Sequence, residues 1–205
     1  ISTAFGYEPE ENKIKVDEVE TLTIYDHVDK ALSTYLNDIS ELRKSVIEGS
    51  KIYYIKFLGE TRRSANDITL WDHSYSVASL YKCAIAKNIV DCSNNPFDPL
   101  NFKWKILSFN LAVLPIIAKG IKIGDVIGYK EKIDNAFDEI KTLIEFTYPI
   151  GNEIYRNTTG IYFLIPDIEI EEIRQKILEK LQNIEPELMP EITIKKMSKI
   201  NFNEN

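Results

Sequence analysis

Trp104-Lys105-Ile106-Leu107-Ser108-Phe109-Asn110 is an apolar run of strand length, and together with the chain from there to Met197 it decides the fold. Val113 to Lys119 reads as a short helix ending near Gly120. Gly120 to Gly128, alternating glycine with apolar residues, reads as a connection. Ile133, Ala136, Phe137, Ile140, Leu143 and Ile144 then recur at helical spacing and form one stripe, closed by Pro149-Ile150-Gly151. Glu153 to Arg156 and Ile161 to Ile165 flank Asn157-Thr158-Thr159-Gly160, a composition suited to a tight turn. Asp167 is placed to cap a further helix whose Ile170, Ile173, Ile177, Leu178 and Leu181 face inward. Pro186 and Pro190 end that helix, and Ile192, Ile194 and Lys196 alternate as a last strand. Strand, helix, helix, hairpin, helix, strand is the order of a split βαβ sheet.

The fold class expected is therefore α+β: a helical N-terminal portion over residues 1–98, then a ferredoxin-like palm (βααββαβ) over residues 99–205. Palms of this order are shared by nucleotidyl cyclases and many polymerases. Those enzymes hold two metal ions with carboxylates at the end of the first strand and at the hairpin tip. The acids balance the triphosphate charge and lower the pKa of the attacking hydroxyl. Here the same places carry Asn110 and Asn157-Thr158, which bring no charge. Glu153 and Asp167 bracket the hairpin rather than occupy its tip. The expectation is a palm with no catalytic residue and no metal ligand of its own, in which Asn110, Asn157 and Thr158 are nucleotide-adjacent. Gly120, Gly124 and Gly128 lack both the Lys-Ser/Thr pair and the spacing of phosphate-cradling loops.

Upstream, Ile1 to Val19 is polar and acidic with few anchors, a lead-in of little expected order. Ala31, Leu32, Tyr35, Leu36, Ile39, Leu42 and Ile47 predict one long amphipathic helix from Val28, stopped by Gly49 and packed on a core. Ile52 to Leu58 suits either a strand or a continuing helix. Gly59 to Asp67 is a polar connection, and Asp67 is the expected cap of a helix through Trp71, Val77, Leu80, Tyr81, Ala84 and Ile85. Asp91 to Pro99, dense in Asn, Ser, Asp and Pro, is the clearest linker, and the domain boundary is placed there.

Composition bounds the function. The chain has 205 residues, 44% hydrophobic and 28% charged, enough for one large or two small domains with real cores. A net charge of −7 and a pI near 5.0 argue against nonspecific coating of nucleic acid, although a local basic patch could still bind it. Cys83 and Cys92 are too few for a disulfide framework and match no zinc spacing, which suits reduced cysteines in a cytoplasmic protein. No apolar run is long enough to span a bilayer. The start, Ile1-Ser2-Thr3-Ala4, has neither an initiator Met nor a signal layout, and a piece of a larger protein is expected.

Asp72-His73 has the form of the metal-binding pair of one phosphohydrolase family. Two histidines in the whole chain cannot complete such a shell of ligands. The expected role of Asp72 is at a helix N-terminus, where the dipole favours an acid, with His73 bonding a neighbouring loop. Arg62 and Arg63 could grip a phosphate, but pairing with nearby acids is the plainer role.

Gly59-Glu60-Thr61-Arg62-Arg63 followed by Thr69-Leu70-Trp71-Asp72-His73-Ser74 resembles a stretch of the large subunit of type III CRISPR effector complexes. Lys103 to Ser108 and Gly151 to Arg156 resemble segments of its first palm, so the likeness runs from about Lys56 to Pro166. The family implies a His-Asp nuclease domain, a degenerate first palm and a second palm bearing Gly-Gly-Asp-Asp. The second palm uses ATP and a divalent metal, Mg or Mn, to make cyclic oligoadenylates. This chain has neither the Gly-Gly-Asp-Asp turn nor a His-His-Asp signature. The resemblance implies a piece spanning the end of the nuclease-side helices and the first palm. Its partners would be the catalytic palm, other subunits, and guide and target RNA through the parent complex. ATP and metal would belong to that complex rather than to this chain alone.

The expected function is a non-catalytic palm that packs on a catalytic one and helps form its ATP pocket. Two rivals stand beside it: a stand-alone cyclase using Glu153 or Asp167 as its acids, and a palm-fold dimerisation module that binds no nucleotide.

Overall fold

A computed structural model of the chain describes residues 18–57, 59, 68–92 and 102–197, with the side chains of residues 18–22 left aside. The described part is α+β, helical first and then built on a four-stranded antiparallel sheet. It divides into two compact units between Ala78 and Ser79. The predicted linker lies outside the described residues beyond Cys92, as do Arg62, Arg63 and Asp67.

In the first unit the single helix expected from Val28 to Gly49 is two: α1, Glu18–Tyr35, and α2, Ile39–Tyr54. Asp38 breaks the run. Its backbone N–H closes a turn on Tyr35 O, and its carboxylate accepts the Glu41 N–H at 3.1 Å as the N-cap of α2. Gly49 does not stop a helix but lies inside α2, where the His27 ring of α1 occupies the space a β-carbon would need. His27 Nε2 lies 3.0 Å from Ser45 O, so the glycine lets α1 seat its ring on α2. Ile52 to Tyr54 continue α2 rather than form a strand.

Helix α3, Leu70–Val90, begins in the first unit and continues into the second. Of the apolar residues named along this helix, Ala84 is buried, while Val77, Leu80, Tyr81 and Ile85 are exposed. The buried side is small: Ser79, Cys83 and Ala86. Close approach to a sheet explains the choice. The Cys83 thiol donates to Leu164 O at 3.4 Å, and Ser79 Oγ accepts from Asn152 Nδ2 at 2.8 Å.

The second unit continues as β1 Trp104–Asn110, α4 Val113–Ile117, α5 Ile123–Thr142 with a π-helical turn Leu143–Thr147, β2 Asn152–Arg156, β3 Gly160–Pro166, α6 Glu171–Ile184 and β4 Glu191–Lys196. The strands lie in the order β2-β3-β1-β4 with every neighbouring pair antiparallel. Hence β1 and β2 run the same way with β3 between them, and β3 and β4 the same way with β1 between them. Strand alternation sends Leu107, Phe109, Ile161, Phe163 and Ile165 to one face. There they meet Ile133, Phe137, Ile140 and Ile144 of the predicted α5 stripe, and Ile177 and Leu181 of α6.

Two boundaries differ from the sequence reading. Gly124 and Gly128 belong to α5, not to a connection. Asp125 starts that helix early by accepting the Lys122 and Ile121 N–H groups, at 2.9 and 3.1 Å. Asp167 caps nothing. Helix α6 begins four residues later, and Asp167 is ion-paired with Lys105.

Candidate functional site

The structure brings together the β1 end and the hairpin turn. Asn110 pairs in register with Gly160 of β3 on one side and with Glu191 of β4 on the other. The Leu111 N–H donates to Thr159 O at 2.7 Å, tying the chain after β1 to the turn. Asn157 organises that turn. Its Oδ1 accepts from Thr159 N, Gly160 N and Thr159 Oγ1 at 2.9, 2.7 and 3.1 Å, an Asx turn closed by the Asn157 N–H on Gly160 O. Thr158 is exposed at its tip. Asn110 Oδ1 accepts the Tyr162 hydroxyl at 3.0 Å. Gly160 suits this place, because a β-carbon would displace Asn110 Oδ1 from its bond with Tyr162.

These groups lie on the face turned away from α5 and α6, since alternation places Ser108 and Asn110 opposite to Leu107 and Phe109. One row crosses the whole sheet on this face: Tyr155, Tyr162, Ser108 and Thr193 are successive register partners. The two tyrosine rings lie 5.5 Å apart, tilted by 48°. The Ser108 and Thr193 hydroxyls meet at 2.5 Å. The next row, toward the turn, is Gly160, Asn110 and Glu191.

The other candidates lie elsewhere. Glu153 points to the helical face. It holds Arg156 through both oxygens at 2.8 and 3.1 Å and pairs with Lys141 of α5 at 3.2 Å. Asp167 comes directly after the last residue of β3, at the end of the sheet opposite the turn. A hydrogen bond from Lys105 holds its carboxyl below the usual range. Neither acid joins the Asn110 end. Asp72 and His73 belong to the first unit. The Thr69 hydroxyl accepts the Asp72 N–H at 3.1 Å and donates to its carboxylate at 2.7 Å, a cap at the start of α3 that places the acid where the helix dipole favours it. His73 is exposed, with its β-carbon against Gly59.

Among the described residues no group of three or more His, Cys, Asp or Glu side chains is placed to hold a metal ion, and no helix is long and apolar enough to cross a membrane. A hollow of 380 Å³ beside Leu143, Lys176 and Ile184, and one of 200 Å³ beside Lys105, Arg174 and Ile192, include neither Asn110 nor the turn. What the end of the sheet offers is neutral hydrogen bonding, two aromatic rings and one carboxylate.

Sequence reasoning found Asn110, Asn157 and Thr158 but missed Tyr155, Tyr162, Ser108, Thr193 and Glu191. The parity of β1 and β3 points to Ser108 and Tyr162. Tyr155 escapes that rule because β2 shifts register between Glu153 and Tyr155, which returns an odd-numbered residue to the face of Asn152.

No protein-family model matches this chain, and no curated protein matches it either.

Proposed function

We propose that this chain is a ferredoxin-like palm without catalytic acids, part of the large subunit of a cytoplasmic type III CRISPR effector complex. In this reading it packs on a catalytic palm and helps wall the ATP pocket used for cyclic oligoadenylate synthesis. Guide and target RNA are engaged by the parent complex. The strand order β2-β3-β1-β4, with both crossovers skipping a strand, supports the ferredoxin-like assignment. The observation that carries the functional reading is the meeting of Asn110 with the Asn157 turn. A two-metal palm juxtaposes carboxylates at these two places, and here the side chains are amides. Asn110 and Asn157 are engaged through their carbonyl oxygens, so they serve as neutral walls of a pocket whose metal is held by another palm.

The test is calorimetry with ATP and magnesium, on the chain alone and after addition of the catalytic palm. Heat of tight binding only in the mixture is the expected result. Tight, metal-dependent ATP binding by the chain alone would overturn the reading and favour an enzyme in its own right.

A further inference from the structure

We propose that β4 is a self-complementary sheet edge that pairs antiparallel with β4 of a second copy of this chain, about a two-fold axis at Thr193. The inference goes beyond the palm reading and does not rest on it. Backbone parity carries the first step. β4 is the outer strand on its side of the sheet, and among the described residues no strand lies beyond it. The Met197 N–H donates to Trp104 O at 3.1 Å, one step past the Lys196–Lys105 pair, which makes Met197 and Trp104 a hydrogen-bonded pair. Alternation then turns the backbone groups of Lys195, Thr193 and Glu191 toward β1, and those of Lys196, Ile194 and Ile192 away from the sheet. Glu191, Ile194, Lys195 and Lys196 are exposed, so the outward N–H and C=O groups form an open template.

Side chains select the occupant. A two-fold at Thr193, perpendicular to the sheet, keeps the helical faces on one side. It sets Glu191 across from Lys195 of the partner subunit, both on the face away from α5 and α6. On the helical face Ile192 meets the partner's Ile194, and these two exchange their outward N–H and C=O groups. Neither Glu191 nor Lys195 is in an ion pair among the described residues. Opposite charges directly across a ladder are favourable and like charges are not. Moving the axis to Lys195 would set lysine against lysine, and moving it to Ile194 would leave Glu191 against Met197. Lysine on an edge discourages pairing in general, but here Lys195 finds an acid in one register and so selects it. The 200 Å³ hollow lined by Ile170, Ile192 and Ile194, among others, lies beside this edge and gives the partner's isoleucines apolar surface to cover. A six-residue edge buries less than the roughly 1,200 Å² of a stable interface, so the dimer forms in a concentration-dependent way.

The experiment is sedimentation equilibrium of the full chain from about 10 μM to about 1 mM, where a weak interface of this kind becomes populated. The mass should rise with concentration from 23.7 kDa toward twice that value. Glu191→Lys and Lys195→Glu should each weaken the dimer at least about fivefold, and the double exchange should restore it to within about twofold of wild type. Both side chains are exposed, and rescue by the double exchange separates a lost ion pair from a lost fold. In a Cys92→Ser background, Thr193→Cys should cross-link two copies in oxidised glutathione, because the axis brings these β-carbons face to face. Glu191→Cys should not, since its two copies would stand about 14 Å apart along the strands. A monomer throughout the concentration range overturns the proposal and leaves the edge to a strand of another protein. A dimer indifferent to both single charge changes, or one cross-linked at Glu191→Cys and not at Thr193→Cys, overturns it as well, because the contact would then use another face or register.

Discussion

Tyr162 gives its hydroxyl proton to Asn110 Oδ1 across 3.0 Å, joining the return strand of the hairpin, near its start, to the last position of β1. The two residues are not direct register partners. Asn110 faces Gly160, and Tyr162 faces Ser108, so the bond is a diagonal that spans two rungs of the ladder.

Tyr162→Phe removes only that hydroxyl. A part-buried neutral hydrogen bond contributes about 1 kcal/mol net, so the variant should lose about that much stability in urea titration with an unchanged slope. The ring contact with Tyr155 survives the change. A loss above about 3 kcal/mol would mean that Asn110 is held by nothing else.

Lys82 should be the costliest surface-accessible charge to remove from the second unit. Its Nζ donates to Glu145 O at 3.0 Å, Gly151 O at 2.5 Å and Asn152 Oδ1 at 2.9 Å, serving carbonyls left over where the π-helical turn meets β2. Hydrogen bonds to a charged group contribute about 1.5 to 3 kcal/mol, so Lys82→Met should destabilise by about 2 kcal/mol or more in chemical denaturation. A change within about 0.5 kcal/mol of zero, the size of an ordinary surface substitution, would remove Lys82 from the account.

Gly151→Ala tests the same corner from the backbone side. A β-carbon there would overlap Leu164 O and press on the Ile165 side chain, and a strand carbonyl cannot rotate out of the way. Overpacking of this kind costs about 1 to 3 kcal/mol, to be read as a lowered midpoint in thermal unfolding. By contrast, Gly128→Ala meets nothing within 4 Å and lies within α5, so it should stabilise by a few tenths to about 1 kcal/mol.

The two thiols should differ sharply in reactivity. Burial pushes Cys83 up to about 12, against the opposing charge of Lys82, so the thiolate needed for attack is scarce at neutral pH. Cys92 is exposed. An aromatic disulfide reagent at mildly alkaline pH should titrate one thiol rapidly in the native protein and two after denaturation. Two fast thiols before denaturation would show that α3 does not hold Cys83 against Leu164.

Acid should expose the Lys105–Asp167 pair. The folded carboxyl is held below its unfolded value of about 3.9, first by the hydrogen bond from Lys105 and further by the charges of Lys196 and Lys103. A depressed folded pKa gives stability that is present above the unfolded value and lost as pH falls through the folded one. Asp167 is about one-third exposed, so the effect is small and weakened by salt. Asp167→Asn should therefore lower stability slightly at about pH 6, and the gap to wild type should close toward about pH 3. A gap that widened on acidification would have the wrong sign.

The sequence determined by itself what depends on period and on turn chemistry. The α5 stripe from Ile133 to Ile144, the alternation of β1 and β3, and the Asn157-Gly160 turn are local patterns, and each is written in residues a few positions apart. The neutral character of Asn110 and Asn157 was legible for the same reason, because it depends only on residue type once the strand end and the turn are located. Tertiary structure alone decided the rest. Asp38 could cut a continuous apolar stripe because a side-chain cap on α2 competes with propagation of α1, and that outcome depends on how the two helices pack. The small side of α3 was chosen over its large apolar side because a sheet carbonyl approaches at Cys83. The row Tyr155-Tyr162-Ser108-Thr193 draws one residue from each of four strands, and a register shift in β2 sets its first member. Pairing register is a property of strands that are distant in sequence, so no local pattern could have placed those four side chains on one line.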